Sequence, residues 1–475
     1  MQNPRSPISH LTPATSLDEV YQTLKSDPLI TKAELTAFYR GEINEVRGDM
    51  VQRMQLQLDR SHNIDHFKAF FMGHQGIGKS TELSRLTEQV QAKFSPIRFS
   101  VMSTLDPSNF QPLDVLLMMM VLVAEQTSLP VDQGGAGKPP PEARLNEIWE
   151  WFATEKDTRD RATASAINIE AGGGAKADSL WGKVLGLFAT LRGEVKFTSS
   201  RKQEVVAYRL SRLDLLIKLA NRLLDDCNDL LHRVNGQEWL LIGEDFDKEG
   251  IPTARLEDLF ITYANIFKQL RSHLIFNLPI TLYYSSKAPR LPFTENRCFV
   301  LPDTPIFNRD KSPNLLGREA LVSVLKARMN LNLFADTQMM RLIVASGGNL
   351  RDLFVLVNYA ADTATLRGAQ QIEATDAEKS ILSLRGDYER RLGQSPFDLD
   401  KVTFADKSDR LIQIYTDNPD AQITDEVMYS LLGAKAVQEF NGKRWFGVHP
   451  LVIDILIKQK KIQPDVNGKF LGGIE

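Results

Sequence analysis

The chain has 475 residues, 43% of them hydrophobic and 25% charged. That is enough for roughly three domains and too apolar for global disorder. The 57 Lys and Arg against 60 Asp and Glu leave a net charge of −3, and there are two cysteines, Cys227 and Cys298. This excludes a binder of nucleic acid held by overall charge, a disulfide framework and a cysteine-rich zinc site. Residues 1–15 are rich in Pro, Ser and Thr and are expected to form a loose tail with no apolar leader. Over 16–60 the apolar spacing is helical: Leu17, Val20, Tyr21 and Leu24 share one face, and Val46, Met50, Met54 and Leu58 share another. Residues 66–72 (HFKAFFM) read as a buried strand, followed by a glycine-rich turn and a helix over 79–91. A strand is predicted over 97–102, a break at Asp106-Pro107 and a buried helix over 112–126. Its apolar run falls well short of the roughly 20 residues that cross a bilayer, so the chain is expected to be cytoplasmic, with no membrane span.

Residues 133–141 (QGGAGKPPP) read as a loop, and 142–235 as charged helix with a glycine-rich break at 171–175. Residues 239–243 (WLLIG) and 279–284 (PITLYY) are further predicted strands. The stretch 317–384 is helical throughout, and 404–471 reads as helices with a hairpin turning at Asn441-Gly442. Strands alternating with helices predict an α/β fold with a parallel sheet.

Gly73-His74-Gln75-Gly76-Ile77-Gly78-Lys79-Ser80, followed by Thr81, fits G-x-x-x-x-G-K-[ST] between a strand and a helix. Glycines let backbone N–H groups turn inward around phosphate oxygens, and the helix start adds its positive end. Lys79 is placed to reach the β- and γ-phosphates, and the Ser80 hydroxyl to coordinate Mg²⁺. Gly73, Gly76, Ile77, Gly78, Lys79, Ser80 and Thr81 are the expected nucleotide-binding residues.

The strand at 239–243 ends in Glu244-Asp245-Phe246-Asp247. An apolar strand that delivers carboxylates to its C-terminal edge suits a Walker B element, because ligands of open α/β sheets bind at that edge. One of Glu244 and Asp245 is expected to hold the metal and the other to polarise the attacking water. The sequence does not assign the two jobs. An acidic turn that only caps a helix would carry the same residue types.

The order GHQGIGKSTEL, LLIGEDFDK and SGGNLRDLF (residues 346–354) resembles the AAA+ and STAND-type P-loop ATPases, in particular the Orc/Cdc6-like bacterial and archaeal proteins. The resemblance spans most of 36–460 and is weakest over 128–235. It implies a P-loop NTPase sheet with helices on both faces, followed by a helical lid and a winged-helix domain. The implied divisions are 1–35 as tail and helix, 36–310 as ATPase core with an insertion at 128–235, 311–395 as lid and 396–475 as winged helix. It implies ATP and Mg²⁺ as cofactors, Ser285 or Ser286 as a polar sensor after a strand, and Arg351 as the lid arginine that reads the γ-phosphate. With Lys79, Glu244 and Asp245, Arg351 completes the expected catalytic set. The family usually has Asp first after the strand; Glu244 is one methylene longer, which points to slow turnover. An arginine finger is implied, and Arg271, Arg290 and Arg297 are open candidates.

The implied activity is ATP hydrolysis by a homo-oligomer that acts as a molecular switch on a separate effector protein, in a bacterial antiphage or mobile-element setting. A DNA-binding initiator or loader and a non-hydrolysing scaffold are the alternatives. Over 398–475 the charge balance is 10 − 12 = −2, so DNA is possible but not favoured by charge. The stripe Leu180, Val184, Leu187 and Phe188 in 179–197 suits a packed helix or a partner- or membrane-surface helix.

Overall fold

The computed structural model describes residues 10–153, 213–293, 295–393, 398, 402–440 and 445–463. Before the first strand come a single helical turn at Val20–Thr23 and then α1 (Lys32–Phe38), α2 (Glu42–Arg47) and α3 (Met50–Ser61). Thr31 starts α1 through a reciprocal capping box with Glu34. Then follow β1 (Lys68–Gly73), α4 (Lys79–Val90), β2 (Phe94–Ser100), α5 (Pro112–Ser128), α6 (Glu142–Ala153), α7 (Leu213–Asn235) and β3 (Glu238–Glu244). Next are β4 (His273–Pro279), the single-turn α8 (Ile280–Tyr283) and β5 (Cys298–Val300).

These five strands form one parallel sheet in the order β2-β3-β4-β1-β5. Both faces are covered, so the strands are near-continuously apolar. Phe70, Met72, Leu241 and Phe276 face a core closed by α5 and α7. Ala69, Phe71, Ile242 and Ile275 face the opposite core, closed by α3 and α4. The order puts β1 between β4 and β5, and after β1 the chain runs through α4 to β2 at the edge of the sheet beyond β3. The fold is therefore a P-loop NTPase sheet with helices on both faces.

The helical part follows as α9 (Leu315–Arg328), α10 (Gln338–Ala345), α11 (Leu350–Leu366) and α12 (Ala374–Gly393). The chain ends in α13 (Phe404–Tyr415), α14 (Glu426–Gly433), β6 (Val437–Phe440), β7 (Trp445–Val448) and α15 (Pro450–Lys458), with β6 and β7 antiparallel. One apolar cluster joins Leu17, Val20 and Leu24 to Leu353 and Val357 of α11 and to Leu451 and Leu456 of α15. The N-terminal segment, lid and terminal module therefore share a core that runs across positions 35 and 396.

Three expectations change. The strand predicted over 279–284 lies earlier, at His273–Pro279. β1 ends at Gly73 opposite Pro279, so the ladder has no partner beyond it and the chain turns into α8. β5 was not foreseen, because three residues give no readable period. The expected tail is not loose at Ala14, which is 2% exposed and bridges to Met329. The stripe at 179–197 and the break at 171–175 lie outside the described residues. No described helix is long and apolar enough to cross a membrane. The apolar α5 is buried between the sheet and α7.

Candidate functional site

The carboxyl edge of β1 delivers Gly73, and the chain loops to enter α4 at Lys79. Gly78 caps that helix at φ +97° and Gly76 sits at φ +89°, left-handed conformations that glycine adopts without strain. A Cβ on Gly76 would lie 2.6 Å from Cβ of Arg351, so the loop and the lid also need its small size. Lys79 is buried, and its Nζ donates to the carbonyls of Gly73 (2.9 Å) and His74 (2.7 Å). It also pairs with Asp247 at 2.7 Å. Burial pulls the ammonium below its ordinary pKa, and Asp247 opposes that shift.

A cavity of about 350 Å³ opens beside this lysine, lined by Gln75, Gly76, Gly78, Ser80, Asp247, Asn277 and Arg351 among others. The volume is that of a small-molecule pocket. Two buried oxygens in its wall, Oδ1 of Asp247 and Oδ1 of Asn277, have no hydrogen-bond partner. Loop N–H groups and Lys79 suit a polyphosphate, and Ser80 with Asp247 supplies the hard oxygen donors that Mg²⁺ takes. The residues present therefore fit a Mg-nucleotide.

The opposite wall comes from the N-terminal segment, through Pro28, Leu29, Phe38, Tyr39, Ile43 and Arg47. A buried network holds it to the loop. Arg47 donates to the Ile77 carbonyl (2.8 Å) and pairs with Glu82 (3.2 Å), while Tyr39 also donates to Glu82 (3.2 Å). Burial, with Glu82 adding, pushes the Tyr39 phenol well above its ordinary range. Leu29 N–H donates to the Thr81 hydroxyl at 3.1 Å. Thr81 therefore anchors this wall as well as lining the cavity.

The lid meets the loop through its backbone. Asn349 caps α11, and its Nδ2 donates to the Gln75 carbonyl at 2.8 Å. Arg351 N–H donates to the Gly76 carbonyl at 3.0 Å. The expected lid arginine thus stands at the first turn of its helix and in the cavity wall.

The two acids singled out from sequence lie elsewhere. The Glu244 carboxylate accepts from Arg98 Nε at 2.6 Å, and Asp245 accepts from the Ser100 hydroxyl at 2.5 Å. Both partners sit on β2, which pairs with β3 in register and holds the carboxylates toward itself. Neither acid lines the cavity, whereas Asp247 does. The backbone at Asp245 has φ +66°, and this turn carries Asp247 round to Lys79.

Neither Ser285 nor Ser286 lines the cavity; the Ser285 hydroxyl donates to the Leu282 carbonyl at 2.8 Å. The polar residue that reaches the cavity is Asn277 on β4, and an amide inside the apolar run HLIFNLP is the signal that marks it. Arg271 pairs with Asp225 at 2.5 Å, Arg290 is exposed and Arg297 lies 4.5 Å over the Phe67 ring. All three lie away from this cavity.

No protein-family model matches the chain, and no curated protein matches it. Solved structures do. The Walker-type ATPase of Pyrococcus abyssi is 10% identical, with 92% of this chain and 99% of that one covered at a TM-score of 0.43. The Aeropyrum pernix ORC1 protein in complex with DNA is 11% identical over 86% of this chain and 92% of that one, at a TM-score of 0.35. Drosophila ORC bound to DNA is 10% identical over 97% and 95%, also at 0.35.

Proposed function

We propose that the chain is a Mg-ATP-dependent ATPase that works as a molecular switch. The observation that carries this is the joint on the phosphate loop. The carbonyls of Gln75 and Gly76 accept hydrogen bonds from Asn349 and Arg351 of the lid, so the loop that would hold phosphate and the lid that would respond share a contact. Loop N–H groups and Lys79 bind and orient the β- and γ-phosphates. For this, Lys79 exchanges its carbonyl and Asp247 partners for phosphate oxygens. Ser80 and Asp247 hold Mg²⁺, which when bound neutralises charge on the phosphates. Arg351 contacts the γ-phosphate end, and Asn277 orients water there. Glu244 and Asp245 are the neighbouring acids that β2 fixes through Arg98 and Ser100. Loss of the γ-phosphate releases Arg351 and with it the lid, and the terminal module follows because it shares the lid's core. On this reading the switch assembles as a homo-oligomer and passes its state to a separate protein effector.

The test is calorimetric titration of Mg-ATP into wild type and Lys79→Ala. Affinity is expected to fall by at least about a hundredfold, since a buried charged donor to phosphate is lost. Unchanged affinity in the variant sinks the proposal.

A further inference from the structure

The half of the cavity away from the phosphate loop carries a charge that no described acid answers. Arg328 ends α9, is 6% exposed and lines the cavity. Its Nη1 donates to the carbonyls of Phe38 (3.0 Å) and Val324 (3.3 Å). The guanidinium carbon lies 5.2 Å from the Phe38 ring centre and 4.9 Å from that of Phe354. Among the described residues no carboxylate pairs with it, and Nε and Nη2 have no protein acceptor. Burial, with the like charge of Arg40, draws its pKa down to about 9. A buried cation without an acid is costly, and cavities retain one where an acceptor arrives from outside.

We infer that Arg328 is a specificity-determining residue that reads an acceptor nitrogen on the edge of the nucleotide's purine base. This rests on the nucleotide reading above. The phosphate end of the cavity is fixed by Lys79 and the start of α4, so the far end receives the other end of the ligand. There the walls are apolar and aromatic, with Ile43 and Val324 beside Phe38 and Phe354. Such walls suit the face of a base better than a charged group. A purine adds ring nitrogens that accept in the ring plane, and the free N–H donors on Nε and Nη2 of Arg328 need such an acceptor.

The experiment uses the full chain and calorimetric binding of ATP, 1-deaza-ATP, 3-deaza-ATP, 7-deaza-ATP and inorganic tripolyphosphate, each with Mg²⁺. Each deaza analogue replaces one ring nitrogen by C–H and keeps the base's shape. On wild type, one analogue is expected to bind about ten- to a hundredfold more weakly than ATP, as for loss of a hydrogen bond to a charged group. In Arg328→Leu that difference disappears, while tripolyphosphate binds as in wild type. Arg328→Lys, which keeps charge and donors, retains part of it. The inference is overturned if all three analogues match ATP on wild type, or if Arg328→Leu keeps the discrimination. Should the leucine variant not fold, the wild-type series and the lysine variant still decide. A wild type that binds tripolyphosphate as well as ATP overturns the base reading alone. A folded wild type that binds neither overturns the nucleotide reading beneath it.

Discussion

Asp247 and its two acidic neighbours differ by partner, and that difference separates their roles. Asp247 touches Lys79, while Glu244 and Asp245 are held by Arg98 and Ser100. Asp247→Asn is therefore expected to lower kcat by at least about tenfold, because it weakens the hold on the metal that neutralises the phosphates. Glu244→Gln is expected to act through Arg98, which also donates to the Ser80 carbonyl at 3.2 Å, lowering Tm more than kcat. Steady-state phosphate release beside thermal melts checks both, and the reverse ranking would return the role to Glu244. The acidic strand end was legible from LLIGEDFD, because an apolar run ending in carboxylates has a simple physical reading. Which acid reaches the lysine was not. That is decided by two side chains on β2, brought alongside only by sheet pairing. Asn277 was missed for a related reason: the strand that carries it ends where the run PITLYY, rich in β-formers, begins.

Among the elements, the terminal hairpin is tied to the phosphate loop through one buried pair. His74 in the loop lies 2.6 Å from the Asp303 carboxylate, and both are buried. Asp303 N–H donates to the Glu439 carbonyl of β6 at 3.0 Å, and Gln438 Nε2 donates to the Gly347 carbonyl at 2.7 Å. Burial alone would raise the Asp303 pKa, but His74 and Gln438 outweigh it and hold the carboxyl below its usual range. Removing one partner strands the other without water. His74→Ala is expected to cost about 3–5 kcal/mol, while the double variant with Asp303→Leu recovers part of it. Chemical denaturation of the two singles and the double measures the coupling, and additive losses would show that the pair transmits nothing. His74 stood inside a motif whose residues act by backbone, so its side chain carried no sequence signal. The lid's approach was legible, because GGNLRD combines two glycines, here at φ +61° and +84°, with an asparagine cap.

At the scale of the whole molecule, the shared core binds the N-terminal segment, the lid and the terminal module, and its acid limit is set where they meet. His449 caps α15 there: Nδ1 accepts from Leu451 N–H at 3.2 Å, and Nε2 faces the Ser346 carbonyl at 3.2 Å. The ring also stacks on Tyr388 at 4.3 Å. Those contacts use a neutral imidazole with its proton on Nε2, and a second proton on Nδ1 would take away the acceptor that α15 needs. Burial draws the His449 pKa down to about 4, against Asp352, Ser346 and Asp303, which favour the charged form, and with Lys435, which opposes it. The unfolded chain takes up the proton near pH 6.5 and the folded chain only near 4, so the unfolded state binds more protons between those values. The stabilisation is thus whole above about pH 6.5 and lost progressively down to about 4, by about 3 kcal/mol for this one group. His66, drawn to about 4 chiefly by burial, adds a loss of the same sign. Melting curves from pH 7 to 4.5 are expected to fall in Tm for wild type and to fall less for His449→Asn, which can keep a cap acceptor without a titrating ring. A variant with the full wild-type slope would place the acid sensitivity elsewhere. The sign also bears on function: acid should loosen the terminal module's grip on the lid, because the His449 ring stands between α15 and the Ser346 carbonyl.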